Sequence, residues 1–97
     1  MAVGMFLTWP GVTREQYETV RASVNWEGGR PDGGNFHACS FGDDGMHIFD
    51  IWDSPEAFQR FQEDRLSAGI AAAGIEGEPQ VEFYELHATY APAFAAA

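Results

Sequence analysis

The chain has no lysine, one cysteine and no apolar run of transmembrane length, and each absence narrows what it can be. Its only bases are five arginines, Arg14, Arg21, Arg30, Arg60 and Arg65, against fifteen acids, for a formal net charge of −10. A nucleic-acid binder must neutralise phosphates, so this balance excludes that class and argues against docking on anionic membranes. With Cys39 alone, neither an intramolecular disulfide nor a cysteine-rich metal site is available. The first eleven residues lack the basic start and apolar length of a secretory signal. No stretch approaches the roughly 20 apolar residues that span a bilayer. The expectation is a cytoplasmic protein with no nucleic-acid or membrane partner.

What is present is enough for a core. The 97 residues are 45% hydrophobic and 14% aromatic, which suits one domain over 1–97 and argues against disorder. Val3 to Trp9 is an almost unbroken apolar run ended by Pro10-Gly11 and reads as a buried strand. Thr13 suits a helix N-cap, with Gln16 three residues on as in a capping box, and Tyr17, Val20 and Val24 form one apolar stripe. Residues 25–34, rich in glycine, read as a loop. The runs Asn35–Phe41 and Met46–Trp52 flank Gly42-Asp43-Asp44-Gly45, a hairpin pattern. Ser54 and Pro55 mark a second helix start, at N-cap and N1, with Ala57, Phe58, Phe61 and Leu66 as its inner stripe. Gly69 to Pro79 reads as a loop with a helical turn around residues 70–73. Val81 to His87 reads as the last strand, and residues 88–97 as a low-complexity tail. This order, βαββαβ, is the ferredoxin-like arrangement: α+β, one antiparallel four-stranded sheet with two helices on one face. The strands carry apolar residues at both parities, so the uncovered face calls for a partner, most economically a second copy of the chain.

The hairpin fixes a register. If Phe41 faces Met46, then Cys39 faces Ile48, His37 faces Asp50 and Asn35 faces Trp52, unless a bulge intervenes. Alternation places these eight residues on one face. A carboxylate beside an imidazole fixes its tautomer and raises its basicity, as a general base requires. Asn35 or the Trp52 N–H is then placed to orient a carbonyl or phenolate, and Trp52 to stack on an aromatic ring. The competing reading is a satisfied polar pair within a dimer interface. Tyr17 and Tyr84 are candidates to line a pocket between helix and sheet, or are plain core aromatics.

Other features carry less. His47 falls on the opposite face near the turn and His87 at a strand end, so the three histidines make no zinc triad. Cys39 lacks a nearby cation to activate it and reads as a small core residue. The glycine loop lacks the features of a phosphate loop. Asp43-Asp44 suits a turn better than calcium.

The segments Met5-Phe6-Leu7-Thr8 and Gly11 to Tyr17, His37, and the block Asp50 to Phe58 together resemble the dimeric α+β barrel superfamily, which includes antibiotic biosynthesis monooxygenases. The resemblance spans most of residues 3–87 and implies a homodimer. It also implies, as one function, a cofactor-independent monooxygenase acting on a hydrophobic aromatic small molecule. Its substrate anion, formed by His37 with Asp50 orienting it, would react with dioxygen without metal or flavin. The alternative is a non-catalytic dimeric ligand-binding or interaction protein. Haem degradation, another activity of the superfamily, draws its axial histidine from the second helix, and this second helix has none. A cavity opening onto His37 is the feature that separates an enzyme from a filled interface.

Overall fold

The computed structural model describes residues 2–93. Strand β1 (Val3–Pro10) leads to helix α1 (Arg14–Val24), the hairpin β2 (Gly34–Gly42) and β3 (Gly45–Trp52), the helices α2 (Pro55–Phe61) and α3 (Ser67–Ala73), and strand β4 (Gln80–Glu85). The strands form one antiparallel sheet in the order β2-β3-β1-β4. This is the ferredoxin-like βαββαβ arrangement expected from the order of elements.

The helix starts follow from local chemistry. Thr13 and Gln16 form a complete capping box, the Thr13 hydroxyl accepting from Gln16 N–H at 3.1 Å and the Gln16 side chain from Thr13 N–H at 3.0 Å. Ser54 Oγ accepts from Ala57 N–H at 3.1 Å, with Pro55 in the first turn of α2. Helix α1 ends at Asn25, whose backbone is left-handed, and Arg65 reaches across to donate to the Val24 carbonyl at 2.6 Å.

The second helical layer is longer than the sequence indicates. A π-helical turn, Gln62–Leu66, joins α2 to α3, so helix runs through Gly69 to Ala73, where a loop with only a separate helical turn around residues 70–73 was expected. Gly69 was misread because glycine usually breaks helices. Here its missing side chain lets α3 close on α1: a Cβ at that position would lie 3.2 Å from Val24 and 3.3 Å from Val20.

The covered face of the sheet holds Val3, Met5, Leu7, Trp9, Met46 and Trp52, packed with Ala57 and Phe58 of α2. Full burial of such side chains contributes about 1.5–3 kcal/mol each. Among the described residues no helix covers the opposite face. It carries Phe6 (48% exposed), Tyr84 (56% exposed), Phe49 and Phe36, whose rings contact one another in a chain. No helix among the described residues is long and apolar enough to cross a membrane. The last four residues of the expected tail, 94–97, lie outside the described residues.

Candidate functional site

Between the covered sheet face and the helices lies a cavity of about 250 Å³. Met5, Leu7, Ile48, Phe58, Phe61 and Leu66 form much of its apolar wall, and Tyr17, His37, Asp50 and Trp52 bring polar groups to it. The hairpin register expected from the turn holds from Phe41–Met46 through Cys39–Ile48 to His37–Asp50. Asp50 also lies opposite Met5 on β1, so its carboxylate sits in the middle of the sheet, with the residue 5% exposed.

A buried carboxylate is costly unless donors surround it. Asp50 has two: His37 Nδ1 at 2.7 Å from Oδ1, and the Trp52 indole Nε1 at 3.0 Å from Oδ2. The other His37 nitrogen, Nε2, is 2.7 Å from the hydroxyl of Tyr17, in the first half of α1. The proton positions follow from the inventory of groups. An ionised carboxylate only accepts and an indole N–H only donates, so His37 Nδ1 donates to Asp50. When the imidazole is neutral, Nε2 accepts and the Tyr17 hydroxyl donates to it. The result is one chain, Tyr17–His37–Asp50–Trp52. Among the described residues no buried side-chain polar atom lacks a partner.

The surroundings tune the acids beside this chain. Burial, helped by nearby Cys39, pushes the Tyr17 phenol well above its ordinary value. Burial and the Asp50 charge push the Cys39 thiol up to about 11, which makes it a poor nucleophile at neutral pH. Tyr17, His37 and Trp26 also line a second, polar cleft of about 460 Å³, bordered by Arg14, Glu18 and Arg21. The Tyr17–His37 pair thus stands between an apolar cavity and a polar cleft.

Of the six site candidates from sequence, the structure gathers Tyr17, His37, Asp50 and Trp52 in one hydrogen-bonded chain. Asn35 is a correction. A bulge between Gly34 and Phe36 pairs Gly34, not Asn35, with Trp52. Asn35 remains at the cavity margin, and its amide donates to Asp53 Oδ1 at 2.9 Å. Tyr84 is a second correction. It lies opposite Gly4 on the open face, away from the cavity, and donates to Glu82 at 2.8 Å. The face taken by the last strand depends on its pairing with β1, which local sequence does not encode. His47 pairs with Asp44 at 2.8 Å on the hairpin. Among the described residues no group of three or more His, Cys, Asp or Glu side chains is placed to hold a metal ion.

Two residues were missed. Trp26 lies in the segment read only as glycine-rich punctuation, yet its ring is 4.8 Å from that of His37 and 5.9 Å from that of Tyr17. Arg30 from the same loop lines the cavity margin. An indole set immediately after a helix and before a run of glycines was the available signal.

No protein-family model matches the chain, and no curated protein does. Solved structures do. A protein of unknown function from Nitrosomonas europaea aligns at a TM-score of 0.67 and 18% identity, covering 94% of each chain. SnoaB, a cofactor-independent oxygenase from Streptomyces nogalater, aligns at 0.59 and 15% identity over 91% of this chain and 93% of that one. A monooxygenase from Streptomyces coelicolor, solved with the ligand nanaomycin D, aligns at 0.59 and 19% identity over 94% of this chain and 91% of that one. The chain therefore has the ferredoxin-like fold shared with antibiotic biosynthesis monooxygenase-like proteins.

Proposed function

We propose that the protein is a cytoplasmic homodimeric enzyme that binds a hydrophobic aromatic molecule in the covered cavity and oxygenates it without a cofactor. The observation that carries this reading is the His37–Asp50 pair, with its carboxylate buried and its imidazole partly exposed, on the wall of an apolar cavity. An imidazole held in one tautomer by a buried carboxylate is a base, and an apolar wall with few polar groups suits an aromatic ring. Removing the proton of a ring hydroxyl leaves an electron-rich anion, which is itself the reductant for dioxygen. In a substrate with a ring CH2 group, that carbon becomes C=O, and the second oxygen atom leaves as water with the two hydrogens. The solved neighbours described as a cofactor-independent oxygenase and as a monooxygenase with a bound ligand are consistent with this chemistry. The aromatic chain Phe36–Phe49–Phe6–Tyr84, exposed at Phe6 and Tyr84, is the surface on which the second copy would sit.

A second reading, non-catalytic ligand binding, is favoured by one observation: His37 Nε2 is already occupied by Tyr17, so no free base nitrogen faces the cavity. Dioxygen uptake decides between them. The wild type, with chelator present, is mixed with a panel of one- and two-ring hydroxyarenes that carry a ring CH2 group. Uptake that is lost in His37→Ala supports oxygenation. Saturable binding of panel members with no uptake supports binding alone.

A further inference from the structure

Both nitrogens of His37 are spoken for, Nδ1 by Asp50 at 2.7 Å and Nε2 by Tyr17 at 2.7 Å. A ligand in the cavity therefore has no direct route to the imidazole. The Tyr17 oxygen is different. Its proton points to His37, and its other side-chain partner is the Cys39 thiol, which leaves one of its two lone pairs for a ligand. A hydroxyl has acceptor lone pairs besides its O–H. Tyr17 lines the cavity as well as the cleft outside it.

The size of the space restricts what can reach it. A cavity of 150 Å³ holds benzene, and drug-sized ligands occupy about 300–1,000 Å³. The 250 Å³ here lies between, the room for one ring or two fused rings.

We propose that Tyr17 is the residue that meets the ligand, and that the ligand is a one- or two-ring hydroxyarene whose O–H donates to Tyr17 Oη. This rests on the reading of the cavity as a ligand site. The proton moves in two linked transfers. The ligand O–H bond breaks as its proton passes to Tyr17 Oη, and the Tyr17 O–H breaks as its own proton passes to His37 Nε2. The tyrosine ends neutral, the ligand is an anion, and His37 becomes an imidazolium held against the Asp50 carboxylate. The raised phenol of Tyr17 fits this role, because the residue never has to persist as a phenolate. The charged and titratable groups acting on it are Cys39, Arg21, Glu18 and Asp50. Of these only Asp50 touches His37, so it is the group that stabilises the imidazolium. Trp52, donating to the far carboxylate oxygen, is a positioning residue.

The test uses 4-nitrophenol, a one-ring probe whose anion absorbs visible light. The full-length protein is titrated with it at fixed neutral pH, and the ratio of ionised to neutral bound probe is read. The relay predicts a ratio at least tenfold higher for the wild type than for Tyr17→Phe, with binding retained, and a similar fall for His37→Gln. It also predicts, in the wild type alone, that probe binding moves the nitrogen NMR signals of His37 to those of the imidazolium. An unchanged ratio in Tyr17→Phe with loss only in His37→Gln would overturn it, since His37 would then take the proton directly. Probe binding to the wild type without protonation of His37 would also overturn it. Failure of 4-nitrophenol and 2-naphthol to bind the wild type at millimolar concentration is a different result. It removes the ligand site itself, and the relay with it.

Discussion

The two faces of the sheet are built from the same strands, one residue out of step, and they have opposite fates. On the covered face, helices enclose a cavity, and polar groups survive there only by bonding one another, from Tyr17 through His37 and Asp50 to Trp52. On the open face, Phe6 and Tyr84 remain half-exposed beside Phe49, with no element of the described residues over them. Chemistry needs fixed donors at a sheltered group, and the covered face holds such a set around the buried Asp50 carboxylate. The open face offers mainly aromatic area, with the Tyr84–Glu82 bond beside it, which suits association more than catalysis.

Substitutions separate the two faces. The largest effect is expected from Asp50→Ala, which strands the Trp52 indole N–H and the His37 Nδ1–H in the covered layer. Urea denaturation should show a loss of about 3 kcal/mol; a change below about 1 kcal/mol would mean that the chain is not what holds this face together. Next is Phe6→Glu on the open face. It leaves the cavity intact and should weaken self-association roughly a hundredfold, read by light scattering over a dilution series. A wild type that is monomeric at micromolar concentration would remove the distinction between the faces. A smaller effect is expected from Ser54→Ala, which deprives α2, part of the cover, of its N-cap: about 1 kcal/mol by urea denaturation.

The smallest is a pH effect confined to the covered face. Folding raises the Cys39 thiol from 9.0 to about 11. Its stabilising effect is whole below pH 9, where the unfolded thiol is also protonated, and is lost as pH rises through about 11. The denaturation midpoint should therefore fall over that window, and by less in Cys39→Ser. Iodoacetamide should modify the folded thiol at pH 8 on the order of tenfold or more slowly than the unfolded one.

Much of this contrast was legible in the sequence, for local reasons. Caps at Thr13 and Ser54 depend on side chains three residues from their partners, and the His37–Asp50 pairing depends on a short turn and a period of two. What escaped was set by tertiary contact. The bulge that removes Asn35 from Trp52 accompanies the entry of the Gly33–Gly34 segment beside Asp53 and Trp52, where Asp53 N–H donates to the Gly33 carbonyl at 2.8 Å. Tyr84 was misplaced because the face of β4 is decided by its pairing with β1, some eighty residues earlier in the chain. Gly69 belongs in a helix because α1 lies against it. Trp26 acquires meaning only once the loop folds back over His37.

The central claim is that the covered face, and not the open one, holds the ligand through Tyr17. A crystal structure of the protein grown with 2-naphthol tests it most directly. The account predicts ring density between Met5, Trp52 and Phe58, with the naphthol oxygen within hydrogen-bonding distance of Tyr17 Oη. Density against Phe6 and Tyr84 with the covered cavity empty would contradict it.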